Sequence, residues 1–168
     1  MRGGALIARL RAFATGPAPE HGDAAALLRL VYLVVFGLQL LLALTLAALL
    51  AQLVPVRGAP NDVVAIVLLV MGAFHLPLGW VLARSTLRAG GRQAALSGTI
   101  AAAVLFSIPA WFAALLLVSN QRTPYLAGIG AVIVVGYSLG FALASIAARV
   151  AAAPEPAQAA EAAEEAST

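Results

Sequence analysis

One histidine and four uncharged polar side chains interrupt otherwise apolar stretches of this sequence: His75, with Gln39, Ser107 and the adjacent Tyr137 and Ser138. In hydrocarbon surroundings an imidazole can relay a proton, ligate haem or hydrogen-bond a quinone or other small substrate. The other four can serve such a ligand, or they can bond one another across helices at roughly 0.6 kcal/mol apiece. Convergence of the five at one depth is physically reasonable, because each would be costly to bury alone. Interhelical bonding is the expected use. The apolar stretches hold no Asp, Glu or Lys of the kind that proton- or ion-coupled transport usually employs.

Other chemistry is excluded more firmly. Haem needs axial ligands, and the second histidine, His21, falls in a linker, so bis-histidine ligation would need a second subunit. The chain has 0 cysteines, which removes disulfides, thiolate metal sites and cysteine nucleophiles. Nucleotide-binding glycine loops, metal-ligand spacings and nucleophile elbows do not occur. Gly90-Gly91, between Arg88 and Arg92, reads as a turn too short to cradle phosphate. The expectation is a non-enzymatic protein without metal or cofactor.

The elements that must position these residues are membrane spans. Of 168 residues, 62% are hydrophobic and 10% charged, against about 25% charged in soluble domains. Between Asp62 and Arg84 lie 21 residues without formal charge, the length of helix that crosses a hydrocarbon core of about 30 Å. In lipid the backbone must satisfy its own hydrogen bonds, so such a run is a helix. Four runs qualify, at about 27–54, 63–83, 94–118 and 125–148. The expected fold is an all-α polytopic bundle of four transmembrane helices. Pro77 and Pro109 lack an N–H and predict kinks in the second and third spans.

Three segments complete the domain plan: 1–23, 24–149 and 150–168. In 1–15, Leu6, Leu10 and Phe13 recur at helical spacing with Arg2 and Arg9 away from them, which predicts an interfacial amphipathic helix. A signal peptide fits less well, because no apolar core follows the arginines; a mitochondrial presequence would look similar. GPAPEHGD, 16–23, is a breaker-rich linker with Asp23 as a cap for the first span. Asn61 or Asp62 can cap the second span, and Thr123-Pro124 opens the fourth. The acidic, Ala-rich segment 150–168 has no apolar face and reads as disordered.

All ten basic residues are arginine, which with the Ala, Gly and Pro content points to a GC-rich, bacterial genome. Arg9, Arg11, Arg84, Arg88 and Arg92 are expected at lipid headgroups, and Arg29, in the first turns of its span, can snorkel there. These positions account for the basic charge by membrane topology, without nucleic acid. Trp80 and Tyr125 fit an aromatic belt.

Two patterns concern packing. Gly136, Gly140 and Ala144 form a small-xxx-small ridge for close helix approach, with Gly72 and Gly79 as a candidate opposing face. Residues 78–83, LGWVLA, reappear as 139–144, LGFALA, at an offset of 61 residues that also pairs Arg88 with Arg149 and Gly37 with Gly98. This raises a duplication of two tandem hairpins. The functions open to such a chain are an accessory or assembly subunit of a larger membrane complex, a small transporter or channel around His75, and a quinone- or haem-associated anchor. Partners would be the bilayer and other subunits or further copies of the chain.

Four spans place Arg2, Arg9, Arg11, Arg29, Arg84, Arg88, Arg92 and Arg149 on one side and only Arg57 and Arg122 on the other. Eight against two predicts both termini in the cytoplasm, in a bacterial inner membrane. Protease added to the outer face of spheroplasts should therefore leave a C-terminal epitope intact. Its removal without membrane rupture would reverse the orientation.

Overall fold

The computed structural model describes residues 3–16, 19–53, 60–119 and 121–153, with side chains from Ile7 onward. Five helices follow in order: α1 Gly3–Thr15, α2 His21–Leu53, α3 Asp62–Leu87, α4 Gly91–Val118 and α5 Thr123–Ala152. The last four are long and apolar enough to cross a membrane. The polar boundaries shape their ends. Asn61 caps α3, its Oδ1 accepting from the backbone N–H of Val63 at 3.1 Å and of Val64 at 3.2 Å. Gly90 and Gly91 turn the chain into α4 at φ 73° and 75°, where a Cβ would be strained. Pro124 sits in the first turn of α5, two residues inside the N-cap position taken by Arg122 and not by Thr123.

Several boundaries differ from the sequence expectation. The α2 helix starts at His21, so Asp23 lies in its first turn, and its 33 residues would measure about 50 Å. That exceeds the hydrocarbon thickness and calls for tilt or projection. The α5 helix runs on to Ala152, taking the start of the supposed tail into the bundle. Residues 154–168, Arg2 and Arg57 lie outside the described residues. Both α3 and α4 continue unbroken as helix through Pro77 and Pro109.

Helices α4 and α5 form the centre of the bundle. Helix α2 packs against both on one side and α3 against both on the other, and α2 and α3 do not touch among the described residues. Burial follows: half of the most apolar window of α4 is buried, against 17% for α2 and for α3. The helix contacts differ between the two hairpins: α4 and α5 touch, and α2 and α3 do not.

The interior is built from alanine, a few rings and the aliphatic side chains Leu28, Leu116, Ile129 and Leu143. Ala24, Ala83, Ala95, Ala102, Ala103, Ala144 and Ala148 are fully inaccessible, as are Tyr32 and Phe106. The ridge Gly136–Gly140–Ala144 is spent inside the chain. A Cβ on Gly136 would stand 3.1 Å from the Phe106 carbonyl oxygen, and one on Gly140 would run into the Tyr32 ring. Gly72 and Gly79 do not meet the glycines of this ridge; Gly72 admits Ile129 of α5 with Phe112 and Pro109 of α4, and Gly79 admits Phe106 and Leu105 of α4.

The contrast between Gly140 and Gly130, which faces open space, gives a test by thermal unfolding in detergent. Gly140→Ala should destabilise the bundle by about 1–3 kcal/mol through overpacking. Gly130→Ala should be neutral or stabilising by up to about 1 kcal/mol.

Candidate functional site

The densest polar and aromatic arrangement lies on the seam between α2 and α5. Arg29, Tyr32 and Phe36 share one face of α2 at i, i+3 and i+7; Tyr137, Phe141 and Ser145 share one face of α5 at intervals of four. Because Gly136 and Gly140 flank that face, Tyr32 can lie flush on the α5 backbone, and its hydroxyl donates to the Gly136 carbonyl at 3.2 Å. The rings form a ladder. Tyr32 stacks on Phe36 at 5.6 Å, Phe36 meets Tyr137 edge-on at 5.7 Å, and Tyr137 stacks on Phe141 at 6.1 Å between centroids.

Arg29 closes the ladder. Its Nη2 and Nε donate to Ser145 Oγ at 2.9 and 3.3 Å, and its guanidinium carbon stands 4.9 Å from the Phe141 ring centroid. Ser145 Oγ in turn donates to the Phe141 carbonyl at 3.2 Å. The arginine expected to snorkel freely is thus fixed across a helix–helix contact. Its spacing to Tyr32 and Phe36 was readable in the sequence, but which helix would receive that face was not.

The five polar residues expected at one depth are not brought together. No hydrogen bond joins any two of them. Gln39 Oε1 accepts from Trp111 Nε1 at 3.3 Å, linking α2 to α4. His75 Nδ1 bonds the Met71 carbonyl of its own helix at 2.6 Å, which makes Nδ1 the protonated nitrogen, and its ring meets Phe112 edge-on at 5.6 Å. Ser107 Oγ donates to Val104 O at 2.7 Å, and Ser138 Oγ to Val134 O at 2.9 Å. A serine in a helix always has a carbonyl one turn back within reach. Tyr137 and Ser138 face outward, while Ser107 is buried.

The basic end of the bundle is organised by Arg92. Its Nη1 donates to the Phe13 carbonyl at 3.3 Å and to the Gly16 carbonyl, where α1 ends. A cation thereby meets carbonyls that a helix C-terminus leaves unpaired. Phe13 is buried in the core and ties α1 to it, whereas Ile7 is exposed. Arg9, Arg11, Arg84 and Arg88 are exposed around the same end. At the opposite end Arg122 pairs with Asp62 at 3.3 Å, tying the start of α5 to that of α3. Both side chains are well exposed, so the pair contributes little.

Fold and site together define a multi-pass α-helical membrane protein whose apolar helices contact lipid, with an aromatic–arginine seam between its first and last spans. Compared with family models, curated proteins and solved structures, the chain matches none. No group of three or more His, Cys, Asp or Glu side chains able to hold a metal occurs among the described residues.

The seam and the histidine should separate on mutation. Tyr32→Ala is expected to cost about 3–5 kcal/mol by emptying a fully packed site. Tyr32→Phe should cost roughly 0.6–1.7 kcal/mol for its one hydrogen bond. His75→Ala should cost about 1 kcal/mol. Unfolding by detergent titration, followed by circular dichroism, measures all three.

Proposed function

We propose that this chain is a non-catalytic accessory or assembly subunit of a larger membrane complex, set in a bacterial inner membrane with both termini in the cytoplasm. The observation that carries this reading is the closed interior. Alanine, aromatic rings and a few leucine and isoleucine side chains fill the space between the four spans, and Gln39, His75, Ser107 and Ser138 each bond within their own helix or to one neighbour. A solute crossing the monomer would find no continuous run of polar partners. Work would instead be done on the outside. Leu38, Leu41, Leu42 and Leu49 of α2, and Ile66, Val70, Phe74 and Val81 of α3, are large and exposed. With α2 and α3 on opposite sides of the α4–α5 pair, these faces can engage lipid or neighbouring subunits in two directions.

Solubilisation in mild detergent followed by native mass spectrometry distinguishes the alternatives. Stoichiometric co-purification of other membrane proteins is expected. A discrete homo-oligomer that moves solute in liposomes would replace this reading with the transporter.

A further inference from the structure

Arg29 carries a charge that no carboxylate among the described residues compensates. Its two hydrogen bonds go to the neutral hydroxyl of Ser145, and no carboxylate among the described residues lies within 4 Å of it. A guanidinium has five N–H donors in a planar fork, so most of them remain available. Below Arg29 on the seam come Phe141, half-buried, and Tyr137, 38% exposed, so part of each ring is open to the surroundings. One turn above Ser145, on the same stripe of α5, is the exposed Arg149, about 6 Å further along the axis. It makes no hydrogen bond or ion pair with another described residue. The stripe Arg149–Ser145–Phe141–Tyr137, with Arg29 reaching in from α2, is cationic at its outer end and aromatic toward mid-membrane.

We propose that the lipid-facing side of the α2–α5 seam binds one anionic phospholipid, its headgroup phosphate held between Arg29 and Arg149 and an acyl chain lying over Phe141 and Tyr137. Charge complementarity selects the occupant. Two arginines from two helices at the membrane edge call for an anion, and the rings beneath them call for hydrocarbon joined to it. A free anion would use only the upper half of the site, and an apolar helix only the lower. The guanidinium carbon stands 4.9 Å from the Phe141 centroid and its Nε and Nη2 go to Ser145 Oγ, which leaves the Nη1 N–H groups for phosphate oxygens. This site is independent of whether the chain serves a larger complex.

The test uses the full-length protein in nanodiscs of equal phosphatidylglycerol and phosphatidylcholine, released into a native mass spectrometer. One retained phosphatidylglycerol in preference to phosphatidylcholine is expected. Arg149→Gln and Arg29→Gln should each lower that preference roughly fivefold, the equivalent of about 1 kcal/mol per arginine at an anionic surface. Arg84→Gln, at an exposed arginine on the same end but on α3 and off the seam, should lower it by clearly less, as a general headgroup contact. If Arg29→Gln fails to fold by circular dichroism, Arg149→Gln carries the test alone. Equal retention of the two lipids by the wild type, an undiminished preference in Arg149→Gln, or an equal loss in Arg84→Gln would each overturn the site.

Discussion

Close approach of helix backbones at small residues is the constraint on which this bundle rests. Lipid tails are as apolar as leucine, so burying a leucine between two spans gains little over leaving it in the membrane. Cohesion must come from dispersion contacts at short range and from hydrogen bonds across helices. The chain meets that condition with alanines at seven of the thirteen buried positions of α4, and with glycines where a ring must cross a backbone. Tyr32 is the clearest case. It is fully buried and bonded to Gly136, and it fits only because Gly140 has no side chain.

From that constraint follows the unequal role of the four spans. Helix α4 carries buried small residues on several sides and can accept neighbours around most of its circumference. Helices α2 and α3 are leucine- and valine-rich outside a narrow stripe, so each packs along one line and gives the rest to lipid. The result is a central pair with two flanks, in which sequence neighbours α2 and α3 are kept apart by the helices that follow them. The polar groups obey the same economy. Serine and histidine return to their own helix, and the long side chains of Gln39, Tyr32 and Arg29 bridge to a neighbour.

The basic end shows how an interfacial segment is fixed without a large contact. Helix α1 is held by one buried ring, Phe13, and by one cation, Arg92, at its last carbonyls. Its remaining described side chains face outward. Arginine thus serves two purposes in this chain. Five exposed residues, Arg9, Arg11, Arg84, Arg88 and Arg149, ring one end, while Arg29 and Arg92 are half-buried and bonded within the molecule.

The sequence alone determined the helical class, the four spans and their ends on the Arg122 side; at the opposite end each span runs three to six residues further. These depend on local quantities: uninterrupted apolar length, charges that cannot enter hydrocarbon, and cap residues such as Asn61 and Gly90. The amphipathic pattern around Phe13 placed α1 in the same way. Tertiary structure decided which faces meet, and therefore the site. Helical periodicity shows that Arg29, Tyr32 and Phe36 share a face, yet in a chain this rich in Ala, Leu and Gly every helix offers several faces of similar chemistry. The depth of Gln39, His75, Ser107, Tyr137 and Ser138 could be read from position along each span, but their rotation about the helix axis could not. That rotation sends Ser138 to the outside and Ser107 into its own helix, and it was set by where the glycines of α5 let Tyr32 come to rest.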